Sequence, residues 1–228
     1  MATEKKQTVE TLNKKEAFFV KYQKPILIAV AAIILIIAGV FFYHNYVAKP
    51  REAEASTAIA KGQEYFANRQ FDQALNGDKT GFKGFVKLAG DYSNTDAGNL
   101  ANLYAGLCYA NLGKWQEAVN YLDKFSPSDD AMISPAAVGA LGNAYAHVNQ
   151  LDKAVDLLKK AAKMADSKAA EGANNSLSPN YLLQAGEILE SQGKKDEALK
   201  LYKEIKEKYV SSAVAASIDK YIERVSLK

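Results

Sequence analysis

Four short segments of this chain share one pattern: FDQAL at 71–75, WQEAV at 115–119, LDKAV at 151–155 and KDEAL at 195–199. Twelve residues before each of their alanines stands a glycine: Gly62, Gly106, Gly142 and Gly186. Three residues after each glycine comes Tyr65, Tyr109, Tyr145 or Leu189, and two residues before each segment stands Arg69, Gly113, Asn149 or Gly193. A glycine-to-alanine spacing alone carries little weight in an alanine-rich chain. Four columns kept in phase over four copies specify a repeated structural unit.

Each column has a physical reading. A mid-helix glycine costs about 1 kcal/mol relative to alanine, so its recurrence implies two helices packed too closely for a side chain. The alanine plays the same part on the second helix, and the residue after the glycine fills the space between neighbouring hairpins. Glycine or asparagine at the turn can take the left-handed conformation that ends a helix. Asp72, Asp152 and Asp196 stand where a helix begins, and their charge suits the positive end of its dipole. The prediction is an all-α array of helical hairpins.

On these residues the chain resembles the tetratricopeptide repeat (TPR) family, whose pattern has the same glycine, tyrosine and alanine columns followed by a large residue. That last column holds Leu122, Leu158 and Tyr202, but Asp78 in the first copy, which is therefore degenerate. The family's tryptophan is replaced by Ala58, Asn102, Val138 and Leu182, so the repeats are divergent. The glycines lie 44, 36 and 44 residues apart, against about 34 in a standard repeat. Residues 76–84 (NGDKTGFKG) are predicted to form an inserted turn, and residues 165–175 to lengthen a helix and then form a loop. The repeats are expected near 55–94, 99–134, 135–175 and 179–211. A capping helix over 212–226 presents Val214, Ile218, Tyr221, Ile222 and Val225 on one stripe.

Ahead of the repeats, residues 26–42 read ILIAVAAIILIIAGVFF, without a polar side chain. Seventeen helical residues reach about 25 Å, near the lower limit for a bilayer core, and Tyr43 and Tyr46 follow at the expected headgroup level. No small-x-small cleavage pattern follows the run, which favours an uncleaved signal anchor over a cleaved signal peptide. The expected organisation is a cytoplasmic tail at 1–24, a transmembrane helix at 25–47 and an α-solenoid at 48–228. Lys5, Lys6, Lys14, Lys15, Lys21 and Lys24 precede the run, whereas only Lys49 and Arg51 follow closely. The positive-inside rule then places the N-terminus in the cytoplasm and the repeats across the membrane, in the periplasm of a Gram-negative bacterium. Residues 14–22 are read as a helical lead-in bearing Phe18, Phe19 and Tyr22.

Little in the sequence points to chemistry. A net charge of +3, mixed in sign along the helices, does not suit a nucleic-acid binder. Cys108, the single cysteine, sits in an apolar helical stretch and reads as a small buried hydrophobe. The glycines of 77–84 lack the Gly-Lys-Ser/Thr ending of a phosphate loop. The two histidines, His44 and His147, are far apart in sequence, and Asp129–Asp130 reads as a turn. No catalytic, metal or cofactor site is expected. In TPR proteins the first helices of the repeats line a groove. Carrying its columns over implies Ile59, Gln63, Phe66, Leu103, Leu107, Asn111, Asn143, His147, Leu183, Glu187 and Glu190 as candidate protein-binding residues. The lysines and arginines of the family's clamp for acidic C-terminal peptides are missing from these columns.

The whole organisation is similar to the YfgM-type family of ancillary SecYEG translocon subunits. The shared features are a short lysine-bearing tail with an aromatic pair, here Phe18–Phe19, a single signal anchor and a divergent TPR domain. The resemblance implies an inner-membrane protein that contacts the SecYEG translocon and periplasmic chaperones and hands over emerging client chains. A scaffold of another envelope assembly (cytochrome c maturation, cell-wall synthesis or secretion) and an organelle import receptor would share the same anchor and repeats.

Overall fold

The structure is a computed structural model that describes the backbone of residues 2–227 and the side chains of residues 22–227. The side chains of Phe18, Phe19 and the lysines before Tyr22 lie outside the described residues. The chain divides into two units, residues 1–51 and 52–228. All regular structure among the described residues is helical.

The first unit is built on α1 (Ala2–Tyr43). Its apolar stretch is long enough to cross a membrane, and none of it is buried. A π-helical turn follows at His44–Ala48. The wider turn disturbs the hydrogen-bond ladder, and Asn45 compensates: its Nδ2 donates to the Phe41 carbonyl at 2.9 Å and its Oδ1 accepts from Lys49 Nζ at 2.9 Å. Phe42 and Tyr46 stack with centroids 4.7 Å apart.

The second unit holds the hairpins. The helix α2 (Lys49–Ala67) leads into the short α3 (Phe71–Asn76) and α4 (Phe85–Asp91). Then come α5 (Asp96–Asn111) with α6 (Trp115–Leu122), α7 (Ile133–His147) with α8 (Leu151–Ser167), and α9 (Ser178–Ser191) with α10 (Lys195–Lys208). From α3 onward each helix packs on the next, and the buried side chains, those of α2 included, form three successive clusters rather than one central core. This is the linear logic of a repeat array, in which each unit buries its apolar face on its neighbours.

The columns acquire their geometry here. Arg69, Gly113, Asn149 and Gly193 have φ of 59°, 72°, 60° and 74°, so all four turn residues are left-handed. The two amides at each turn bond back into the helix: Gln70, Lys114, Gln150 and Lys194 donate to the carbonyls of Tyr65, Tyr109, Tyr145 and Leu189. Arg69, Gly113, Asn149 and Gly193 donate to Phe66, Ala110, Ala146 and Glu190. This is one Schellman cap made four times. A Cβ on Gly106 would lie 2.5 Å from Leu122 Cγ, on Gly142 3.0 Å from Leu158 Cγ, and on Gly186 would strike the Cε1–Cζ edge of the Tyr202 ring. The glycine column thus receives the large residue of the partner helix.

The first hairpin solves the same problem differently. Asp78 occupies the large-residue column, and a Cβ on Gly62 would instead meet Phe82 and Phe85 at 2.6 Å. Phe85 is fully buried. The inserted loop delivers these rings because Asp78 organises it. Its Oδ1 accepts from the amides of Thr80 and Phe82 at 2.7 and 3.1 Å, and its Oδ2 accepts from the Tyr65 hydroxyl and Lys61. Gly77 and Gly84 close the loop at φ of 87° and 82°, where a side chain would strike the backbone of Phe82 and Leu75. The same hairpin is tied to the next by Glu52, which accepts the first amides of α5 from Asp96 at 2.7 Å and Ala97 at 3.0 Å.

At the other end, Asp166 joins three helices. It accepts from the Asn174 amide at 2.8 Å, the Ser178 hydroxyl at 2.6 Å, the Tyr209 hydroxyl at 2.6 Å and Lys208. The predicted helix over 212–226 is divided: a 3₁₀ turn at Ala215–Ser217 precedes α11 (Asp219–Ser226). Ser212 explains the delay, because its hydroxyl accepts the Ala215 amide at 3.1 Å and holds the chain in a turn. Ile218 and Val225 are buried against the last hairpin, while Val214, Tyr221 and Ile222 are half-buried there.

Candidate protein-binding groove

The candidate residues fall into three groups. Ile59 and Leu103 are 5% and 7% exposed and belong to the core, which corrects their assignment to a groove surface. The column faces a helix seam here, because a thin array shares inward positions between groove and core. Glu190 is also committed internally. It accepts from the Tyr202 hydroxyl at 2.7 Å and from Arg224 Nε at 3.0 Å, joining α9 to α10 and α11. The Arg224 guanidinium, then the Tyr202 hydroxyl, hold this carboxyl below its ordinary pKa although burial opposes them. Leu183 is half-buried against the same final cluster.

A second group lies on α2 and α5. Phe66 is half-buried, edge-on to Phe71 and Tyr104 with centroids 5.6 and 5.3 Å apart. Gln63 Nε2 donates to the Tyr104 hydroxyl at 3.3 Å. Leu107 is half-buried on the middle cluster, and Asn111 donates to its carbonyl at 2.8 Å.

The third group meets in one cavity. Asn143, His147 and Glu187 line a volume of 630 Å³ together with Ala110, Trp115, Ala140, Ala146, Gln184, Ile188 and Ser191. Its walls come from α5, α7 and α9, the first helices of three consecutive hairpins, and from the first residue of α6. Trp115 and His147 form a parallel stack, with centroids 3.6 Å apart and planes within 2°. The alanines keep the floor low, so the polar side chains and the aromatic wall stand around an open trough.

Trp115 and Gln184 were not among the sequence candidates. Trp115 is the only tryptophan in the chain and opens a repeat segment, a signal that column transfer from first helices passes over. Gln184 sits one column from those carried over. A second cavity, also of 630 Å³, lies beside α8 and α10 and has the opposite character, with Lys159, Lys160, Lys163 and Lys208 on its lining beside Asp166 and Glu204. Cys108 is fully buried, and burial pushes its thiol up to about 12, which leaves it protonated and inert.

The family model described as a tetratricopeptide repeat-like domain matches residues 16–221. No curated protein matches the chain in sequence. Among solved structures, the TPR-like repeats of a kinesin light chain from Podosopora anserina superpose with a TM-score of 0.56 at 14% identity, over 76% of this chain and 85% of that one. The MamA protein superposes with a TM-score of 0.53 at 18% identity, over 75% of this chain and 89% of its own. At these identities the likeness is one of fold.

Proposed function

Because the chain belongs to the tetratricopeptide repeat-like domain family, we propose that it is a membrane-anchored scaffold that holds protein partners in the groove of its repeats, without catalysis of its own. The observation that carries this reading is the cavity walled by three successive first helices, where Asn143, His147 and Glu187 converge beside Trp115. Solenoids of this kind bind extended segments along such surfaces. The apolar stretch of α1, none of it buried, supports a bilayer anchor over residues 25–47. The lysines before the stretch support an N-terminus in the cytoplasm and repeats on the periplasmic side of a bacterial inner membrane.

The resemblance to YfgM-type subunits supports a finer reading: assistance to protein translocation or chaperone hand-over at the outer side of that membrane. Its partners are then the SecYEG translocon, periplasmic chaperones and emerging client chains. Protease treatment of intact and permeabilised spheroplasts tests the orientation. Digestion of the repeats is expected already in intact spheroplasts; digestion only after permeabilisation, or only in inverted vesicles, refutes it. Photo-crosslinking from positions 143, 147 and 187 in living cells tests the site and the partner. Adducts to SecYEG, chaperones or nascent chains are expected, and adducts to another envelope complex overturn the translocon assignment while leaving the groove in place.

A further inference from the structure

The chain carries 29 lysines and arginines, yet none lines the Trp115 cavity. The only carboxylate in its lining is that of Glu187, which is exposed. Gln184 lines the same cavity, and its Oε1 is shielded from solvent and accepts no hydrogen bond in the structure. Asn143 and Glu187 likewise make no side-chain hydrogen bond among the described residues. Asn143 and Glu187 therefore offer acceptor oxygens without a donor, beside an imidazole with one face covered by indole.

One turn along α9 the molecule shows what such a set holds. Glu190 receives Arg224 through Nε at 3.0 Å and through a second, shorter contact from Nη2, and the guanidinium lies 4.8 Å from the centroid of Tyr221. A carboxylate with an aromatic ring grips a planar cation there. Glu187 with the Trp115–His147 wall repeats the carboxylate and the ring, but has no cation.

Resting on the groove reading, we propose that the Trp115 cavity receives an arginine side chain of the bound protein segment. Its guanidinium donates to Glu187 and to the carboxamide oxygen of Asn143, and its plane lies against the His147 ring. Arginine suits this set better than lysine, because its donors form a flat fork that can meet several acceptors and stack at once. The lysine-lined cavity beside α8 and α10 has the wrong sign for such a segment, so the charge of the lining separates the two surfaces.

Trp115, as the single tryptophan, reports on this cavity alone. The test titrates the full chain in detergent micelles with the peptide acetyl-Ala-Leu-Arg-Leu-Ala-amide, following selectively excited tryptophan emission. Counterparts with citrulline or glutamate in place of arginine serve as controls. A saturable change is expected with the arginine peptide, with binding weakened about tenfold or more by citrulline, which removes the charge but keeps the shape. Glu187→Gln should weaken the arginine peptide to a similar extent and leave the citrulline peptide unchanged. Glu187 is solvent-exposed, so this variant should keep the wild-type melting curve, which shows that folding is not at issue. Equal binding of the three peptides, no saturable change with arginine, or indifference to Glu187→Gln each overturns the proposal. Cellular adducts from positions 143, 147 and 187 without arginine selectivity would sink this inference while the groove reading stands. Arginine selectivity without any adducts would support the cavity's preference for arginine while counting against the groove reading.

Discussion

The first hairpin and the three that follow satisfy one packing requirement by two routes. In the later hairpins the glycine of the first helix accepts Leu122, Leu158 or Tyr202 from the facing helix. In the first, that helix stops at Asn76, and an aspartate stands in the column. The space opposite Gly62 is filled instead by Phe82 and Phe85, brought round by a loop wound on Asp78. The lesson is that the repeat specifies a filled volume opposite a glycine. It does not require the filler to come from one register position, provided a polar group pays the cost of the detour.

The largest expected effect breaks this equivalence. Phe85→Ala removes a fully buried ring and should cost about 3–5 kcal/mol in denaturant unfolding of the full chain. Asp78→Leu, which restores the family's large residue, should destabilise rather than repair, because the carboxylate holds the loop. An improved midpoint for Asp78→Leu would show that the register position, not the loop, is what matters.

Next come the glycines of the regular hairpins. Gly106→Ala places a methyl 2.5 Å from Leu122 Cγ and 3.0 Å from its backbone nitrogen, and overpacking there should cost about 1–3 kcal/mol. Gly142→Ala meets nothing closer than 3.0 Å. The roughly 1 kcal/mol gained in helix propensity should offset most of its cost. Equal melting shifts for the two variants would contradict the tighter seam at Gly106.

A smaller effect, of opposite sign, separates the turns. Arg69 and Asn149 hold left-handed φ that glycine adopts without strain. Arg69→Gly should stabilise by about 0.5–1 kcal/mol, and Asn149→Gly by less, since asparagine tolerates this region better. A loss of stability for Arg69→Gly would mean that the side chain matters beyond its cap.

The smallest effect is in acid. Lys61 and then Tyr65 hold the Asp78 carboxyl well below the usual range against a partial burial cost. At Asp166 burial pushes the other way, but the Asn174 amide, Lys208, Ser178 and Tyr209 together keep it depressed. A depressed carboxyl binds fewer protons folded than unfolded. Its stabilisation is therefore present above the unfolded value near 4 and is lost as pH falls towards the lower folded value. Melting temperature should drop below about pH 4, and less steeply in Asp166→Asn, which is already weakened at neutral pH. A slope identical to wild type would remove Asp166 from the account.

The array, its hairpin pairing and its left-handed turns were legible because each rests on contacts between residues close in sequence. The Gly–Ala spacing and the turn position recur at fixed offsets, so local geometry and repetition reveal them. The division of 212–226 escaped because one hydroxyl, Ser212 on the Ala215 amide, outweighs a continuous apolar stripe. The candidate site residues are placed unequally. Asn143, His147 and Glu187 line one cavity, whereas Ile59 and Leu103 turn into the core and Glu190 is taken by Arg224.

By itself, then, the sequence determined an unbroken apolar helix, a train of hairpins and the caps between them, since hydrophobic run length, glycine columns and turn residues act over a few residues. Only the tertiary structure decided which inward side chains are sealed and which remain open. It brought Phe85 under Gly62 across an insertion, and it set Trp115 against His147 to wall a cavity from three hairpins. Those outcomes depend on how neighbouring units stack, and stacking distances are written in no single repeat.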